Sequence, residues 1–356
     1  MTGCFIIPSL SYGGAERVTL YLYEESNKKR KNHLIVLSDA NNLEIPDYDE
    51  NFVHFINKRR LIFAIPRVLW LLFKLKPDYL FSSIWHINIF CVLVSILFKK
   101  QRSIIREANY PQQNLLKFRK KYFFYKIIYS YFYKKANIVL SSSESMKLEI
   151  MKFCRYNGEN IRVLYNPVDY EYIRKKIEQN EPDFRPDSFL CIGRLTYQKG
   201  FDRLIKLFPE IKNAKLRIIG EGEQYDDLYR LIHDLELNSR VFIEKNLDNP
   251  WKEIINSIAV VVPSRWEGMP NIVLESLACG AEIVASEEAG AITEIYQKLK
   301  VGQNRFHIID SEESFVNKLN FLSDKKSSNC SNSYLPNCFR KDNVGKQFRD
   351  YLDDLS

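Results

Sequence analysis

Short runs of β-branched and aromatic residues recur along this chain with helix-period segments between them, and that alternation limits the fold more than any other feature. In the first half the runs are Cys4–Pro8, Leu34–Leu37, Val53–Ile56, Tyr79–Ser82, Ser103–Arg106, Ile138–Leu140 and Val163–Tyr165. Between them, Ala15–Glu25, Pro66–Leu75, Asn88–Phe98 and Glu144–Phe153 carry a helical apolar period, which predicts helices. Strand and helix in turn make βαβ units on a mostly parallel sheet. The turn Asn166-Pro167-Val168-Asp169 and the polar stretch from Glu171 to Asp187 break the pattern, as a linker does. It restarts with Phe189–Ile192, Leu216–Ile219, Val241–Ile243, Ala259–Val262, Ile283–Ala285 and Phe306–Ile309. Two doubly wound α/β domains are therefore expected, 1–170 and 171–335, facing each other across a cleft, with ligands beyond the carboxyl ends of the strands. A last helix over about 342–352, within the piece 336–356, is expected to pack back on the N-terminal domain.

Composition narrows the function classes. A chain of 356 residues with 46% hydrophobic and 27% charged residues is neither a miniprotein nor a disordered or multi-spanning one. Its net charge of +8 is unevenly spread: residues 1–170 hold 26 basic and 14 acidic side chains, and 171–356 hold 26 and 30. The basic half suits a nucleic acid, an anionic membrane or a phosphorylated substrate. Seven cysteines without a Cys-x-x-Cys or Cys/His cluster read as reduced core thiols. Met1–Ile7 lacks a basic leader, and the longest apolar-rich run, Ile87–Phe98, is too short for a bilayer. A cytoplasmic protein, peripheral to a membrane at most, is the expectation.

Three segments lie where strands give way to helices. Pro263-Ser264-Arg265-Trp266-Glu267-Gly268-Met269-Pro270-Asn271-Ile272-Val273-Leu274-Glu275 puts one carboxylate on the loop and a second within the helix. A helix N-terminus there suits phosphate, and two acids suit sugar hydroxyls. Gly193-Arg194-Leu195-Thr196-Tyr197-Gln198-Lys199-Gly200 offers a planar fork, a point charge and close backbone approach, as a diphosphate requires. Ser11-Tyr12-Gly13-Gly14 precedes the first helix, where backbone can approach phosphate or a reacting sugar.

In order and spacing these segments resemble the GT-B glycosyltransferases, specifically the retaining family four of the bacterial surface-polysaccharide type. Asn166-Pro167-Val168-Asp169 and Ile219-Gly220-Glu221-Gly222 belong to the resemblance, which covers almost the whole chain. It implies a nucleotide-sugar donor held in the C-terminal domain. Arg194 and Lys199 would hold the diphosphate, Glu275 the ribose hydroxyls and Glu267 the donor sugar. Gly13, Gly14, Gly193 and main chain from Gly268 through Met269, Pro270 and Asn271 to Ile272 would line the donor. The catalytic set is then Glu267, Arg194 and Lys199. The implied reaction is a metal-independent, retaining hexosyl transfer without a cofactor, the nucleotide sugar being a substrate and a UDP-sugar the expected one. A hydroxyl of a lipid-linked saccharide would be the acceptor.

Where relatives carry an N-domain histidine, this chain has Ile105-Arg106-Glu107-Ala108-Asn109. His86, Arg106, Glu107 and Asn109 are therefore the acceptor-side candidates. A packed histidine beside Trp85, and a structural Arg106–Glu107 ion pair, are equal alternatives for these residues. Glu244 and Lys245 stand where a glycine is usual. Gly220-Glu221-Gly222 lacks the third glycine of a dinucleotide fingerprint, and Asp47-Tyr48-Asp49 reads as a solvated turn rather than a metal motif. From Leu115 to Lys135 the chain mixes aromatics with cations and has no acid. This predicts contact with an anionic membrane surface, a core helix with a basic edge being the plainer alternative. No nucleic-acid module accompanies it. A sugar-nucleotide epimerase, a phosphorylase of the same shape and a non-catalytic nucleotide-sugar-binding partner remain the other readings.

Overall fold

The computed structural model describes residues 1–10, 14–38, 49–58, 60–116, 119–178, 187–245, 247, 249–325 and 332–355, with the side chains of 114 and 119 left aside. Gly13, the Asp47–Tyr48 pair, Lys117, Phe118 and Cys330 lie outside these residues. The chain divides into two compact units, Met1–Pro167 with Asp342–Ser356, and Val168–Lys341.

In the first unit the strands are β1 (Gly3–Ile7), β2 (His33–Val36), β3 (Val53–Phe55), β4 (Tyr79–Ser82), β5 (Arg102–Glu107), β6 (Ile138–Ser141) and β7 (Ile161–Val163). Their helices are α1 (Gly14–Asn27), α2 (Leu61–Leu75), α3 (Trp85–Leu97), α4 (Pro111–Leu116), α5 (Tyr122–Lys135) and α6 (Glu144–Cys154). In the second unit come β8 (Ser188–Ile192), β9 (Lys215–Ile219), β10 (Val241–Glu244), β11 (Val260–Val262), β12 (Ile283–Ser286) and β13 (Phe306–Ile309). Its helices are α7 (Tyr170–Glu178), α8 (Phe201–Leu207), α9 (Tyr225–Asp234), α10 (Pro250–Ile255), α11 (Asn271–Cys279), α12 (Ile292–Gln297) and α13 (Glu312–Asp324), before α14 (Lys341–Asp353).

Both sheets are parallel throughout, in the orders β3-β2-β1-β4-β5-β6-β7 and β10-β9-β8-β11-β12-β13. These are the two Rossmann-like domains of a GT-B fold. Each sheet has a point where strand order reverses, between β1 and β4 and between β8 and β11. Loops leaving such a pair open the crevice that α/β proteins use for ligands. Side-chain alternation divides the first core in two. Ile6, Ile35, Leu80, Ile105 and Val139 meet α2, α3, α5 and α6 on one face, while Phe5, Leu34, Phe81 and Leu140 meet α1 and α14 on the other. α14 docks through Val344, Phe348 and Leu352, all fully buried, and Arg349 pairs with the buried Glu25.

Three local expectations change. α2 begins at Leu61, well before Pro66; the missing Pro66 amide leaves a carbonyl one turn back, where the helix is exposed and the carbonyl is open to solvent. The stretch read as a linker contains α7, whose Ile173 is buried because α7 packs against α10 and α11. The Leu115–Lys135 segment is not one helix: α4 ends at Leu116, and a turn at Arg119–Lys121 leads into α5.

Candidate active site

In the second unit the two motif loops leave β8 and β11, the neighbouring strands at the reversal of strand order, in register at Leu190 and Val260. They are laced together. The backbone amide of Arg265 donates to the Gln198 carbonyl at 2.8 Å, and Gln198 Nε2 donates to the Trp266 carbonyl at 3.0 Å. The Arg265 guanidinium stacks 3.8 Å over the Tyr197 ring and grips Asp202 through two 2.7 Å bonds. Burial raises the Asp202 carboxyl, but the Arg265 hydrogen bonds and charge outweigh it and hold the pKa below its ordinary value.

This lacing brings Lys199 to Glu267. Lys199 Nζ donates to Glu267 Oε1 at 2.5 Å, and Ser264 Oγ donates to the same oxygen at 2.9 Å. Glu267 is buried at 6% exposure, and these two donors satisfy its Oε1. Gly290 fixes the backbone behind it: its φ is +77°, and a Cβ there would fall 1.9 Å from the Glu267 carbonyl oxygen. Gly220 is equally constrained, since its Cβ would lie 1.9 Å from the Gly193 carbonyl oxygen. That glycine serves close packing of two loops.

Arg194 is exposed, and its guanidinium makes no hydrogen bond or ion pair among the described residues. Gly268, Met269 and Pro270 are buried, with Asn271 and Ile272 half-buried at the start of α11, whose N-terminus has no side-chain cap. Its first amides remain suited to an anion. One turn on, Glu275 Oε2 accepts from Trp251 Nε1 at 3.2 Å. Trp251 packs edge-on against Tyr172 of α7. No sequence signal pointed to Trp251 or Asp202; Ser264 lay within a motif already singled out.

In the first unit Gly14 opens α1 and is exposed. Thr19 Oγ1 of α1 and Ser83 Oγ, just after β4, lie 2.6 Å apart, joining the two elements at that reversal of strand order. His86 is exposed on the first turn of α3, edge-on to Trp85 at 5.6 Å between ring centroids. Arg106 and Glu107 are both buried, at 1% and 2% exposure. Consecutive residues of a central strand point to opposite faces, so each finds its own partners. Arg106 Nη2 donates to Asn166, while its Nε and Nη1 have no hydrogen-bond partner among the described residues. Burial pushes this guanidinium down to about 10 against the opposing pull of Glu107. Glu107 Oε2 accepts from Tyr129 at 2.6 Å and Tyr133 at 2.5 Å, and Oε1 accepts from the Asn109 amide at 3.3 Å. Burial raises the Glu107 pKa although these donors oppose it. The half-buried Asn109 thus sits on a turn that Glu107 braces.

Among the described residues no group of three or more His, Cys, Asp or Glu could hold a metal ion, and no helix is long and apolar enough to cross a membrane.

Comparison with known proteins agrees with this architecture. Residues 12–172 match the family described as Glycosyltransferase Family 4, and residues 173–333 that described as Glycosyl transferases group 1. A Campylobacter jejuni protein, N-acetylgalactosamine-N,N'-diacetylbacillosaminyl-diphospho-undecaprenol 4-alpha-N-acetylgalactosaminyltransferase, is 27% identical over 337 residues, covering 91% of this chain and 90% of that one. The lipopolysaccharide 1,6-galactosyltransferase of Salmonella typhimurium is 28% identical over 160 residues, 43% of either chain. Among solved structures, Anabaena HepE in complex with UDP and glucose superposes with a TM-score of 0.78 at 16% identity, covering 99% of this chain and 100% of that one. With its two halves matched in order and its whole length following that fold, the chain belongs to the family-four glycosyltransferases of GT-B architecture.

Proposed function

We propose that this glycosyltransferase moves a sugar from a UDP-sugar to a hydroxyl of a lipid-linked or growing oligosaccharide, retaining anomeric configuration and needing no metal. One observation carries the reading: Lys199 and Glu267 meet at 2.5 Å beside the uncapped N-terminus of α11. Negative charge grows on the diphosphate as the sugar leaves. Preorganised donors stabilise such charge most where water is scarce, and Lys199, Arg194 and the first α11 amides are donors of that kind. Glu267 then accepts a hydroxyl of the donor sugar, and Glu275 accepts the ribose hydroxyls. Attack on the face the diphosphate leaves keeps the configuration, with a leaving phosphate oxygen taking the acceptor proton.

Two likenesses support the finer assignments. HepE was solved with UDP and glucose, and the Campylobacter relative is a transferase for a diphospho-undecaprenol-linked acceptor. Such an acceptor sits on a membrane, and the cation-rich stretch Leu115–Lys135 would meet the cytoplasmic face of that membrane as a peripheral contact.

A calorimetric screen of UDP-, GDP- and ADP-sugars without added metal tests the donor, with nuclear magnetic resonance of the product reporting its anomer. One UDP-sugar is expected to bind and to give a retained linkage. In Glu267→Gln, donor binding should persist while transfer falls by about 100-fold or more. Binding of no nucleotide sugar, or turnover undiminished in that variant, would remove the reading.

A further inference from the structure

The helical face of the first unit exposes more apolar surface than a water-facing layer requires. α2 buries Ala64, Val68, Leu71 and Leu72 against the sheet, yet Ile62, Phe63, Trp70 and Phe73 point outward, at 69%, 66%, 57% and 73% exposure. A helix apolar on every side belongs inside a protein or against lipid, and α2 lies at the surface. The same layer continues with exposed Leu93, Leu97 and Phe98 at the end of α3 and exposed Phe123, Phe124 and Ile127 on α5. Cations border it: Arg60, Arg67, Lys74 and Lys76 around α2, Lys99 and Lys100 after α3, and Lys120 and Lys121 before α5 are all exposed. From Asn51 to Pro77 the chain has no acid.

We propose that α2 is the principal membrane anchor of this protein, lying flat in the interface of an anionic bilayer, with α5 as its companion. An interfacial helix sinks its apolar face by roughly 5–10 Å while basic side chains reach lipid phosphates. Fifteen residues span about 22 Å at 1.5 Å per residue, too short to cross and long enough to lie down. Lys74 Nζ stands 5.5 Å over the Trp70 ring, an arrangement of cation and indole that suits the headgroup level. A second copy of the chain is a poorer occupant, because two such faces would bring Arg67 and Lys74 against like charges with no acid between.

The anchor also sets an orientation within this unit. α2, α3 and α5 share one face of the sheet, and α1 and α14 cover the other. The bilayer therefore runs along the helical layer, and the carboxyl ends of β4 and β5, with Ser83, His86 and Asn109 beyond them, stand edge-on to the lipid. A saccharide held by a lipid diphosphate emerges at that height. The inference rests on the membrane-borne acceptor and the peripheral contact of the proposed function, in which α5 already figures, and adds α2 as the principal anchor.

The test is flotation of the full chain with phosphatidylglycerol-containing vesicles and with pure phosphatidylcholine. The variant Ile62→Ser/Phe63→Ser/Phe73→Ser is compared with Phe123→Ser/Phe124→Ser/Ile127→Ser, and Phe73→Ser alone stands in should the triple change fold poorly. The α2 variant should lose anionic-vesicle binding by about tenfold or more at unchanged melting temperature and mass, and brominated lipid should quench Trp70 fluorescence in the parent but not in Trp70→Phe. Parental binding by the α2 variant with loss in the α5 variant would overturn the anchor while leaving the membrane-borne acceptor standing. A dimer in solution that the α2 variant converts to monomer, with vesicle binding unchanged, would overturn it in favour of a second copy.

Discussion

Lys199 and Glu267 are 68 residues apart in sequence and 2.5 Å apart in space, with Ser264 donating to the same carboxylate oxygen. A cation and a carboxylate held this way balance each other until an anion arrives. A diphosphate beside Lys199 would compete for its protons and release Glu267 toward sugar hydroxyls.

Arg194 is exposed, with its guanidinium unengaged among the described residues. Arg194→Ala should leave the stability of the ligand-free protein unchanged, within about 0.5 kcal/mol. The stabilisation given by a saturating UDP-sugar should disappear. Differential scanning fluorimetry with and without donor reads both, and a retained shift would remove Arg194 from the diphosphate site.

Trp251 holds Glu275 through its indole N–H. Trp251→Phe keeps an aromatic ring near Tyr172 but removes the indole N–H together with part of the bicyclic ring; the lost hydrogen bond to a carboxylate is worth about 1.5–3 kcal/mol. Steady-state kinetics should show a higher KM for the nucleotide sugar at nearly constant kcat. An unchanged KM would mean that Trp251 does not position the carboxylate.

Gly290 lies at φ +77° against the Glu267 carbonyl. In Gly290→Ala both the backbone strain and the Cβ contact push on the Glu267 loop, so stability should fall by more than about 1 kcal/mol. Transfer activity per folded molecule should fall as well. Urea titration and activity assays separate the two effects.

Acid should loosen the second unit. Arg217 grips Glu244 through bonds of 2.7 and 2.8 Å, and those bonds hold the Glu244 pKa below its ordinary value against the opposing effect of burial. A depressed folded pKa contributes stability above the unfolded value, about 4.3, and the contribution is lost as pH falls through the folded value. Glu244→Gln should be less stable than the parent at neutral pH, and the difference should shrink as pH falls below the unfolded value and through the lower folded one. Thermal denaturation across pH 3–7 reads this, and parallel curves would show that the pair contributes nothing. Because Glu244 is one-third exposed, solvent screening keeps the effect near or below about 1 kcal/mol.

Of the strands among the described residues all but β7 were legible, because a buried parallel strand is a short apolar run between turns, readable without its neighbours; β7 is Ile161–Val163 and shares only Val163 with the run read at Val163–Tyr165. The helices were legible where one face only is apolar. α2 was harder to bound, since both of its faces are apolar and Pro66 imitates a start. α7 was hidden because the stretch around it is polar and only Ile173 is buried along it. The strand run was read as ending at Arg106, but β5 continues through Glu107, and strand alternation sends the two side chains to different partners. Trp251 carried no local sign of its role, its partner Glu275 lying 24 residues away.

The amino-acid order by itself determined two parallel α/β sheets and the loops in which anion-seeking and hydroxyl-seeking residues stand. Those properties depend on periodicity and on residues close in the chain. Which side chains meet was decided by tertiary structure alone. The register of β8 on β11 carries two distant loops to the same crevice, and the folding of β5 into the sheet brings Arg106 to Asn166, 60 residues away. Both follow from packing among elements far apart in sequence, which no local pattern encodes.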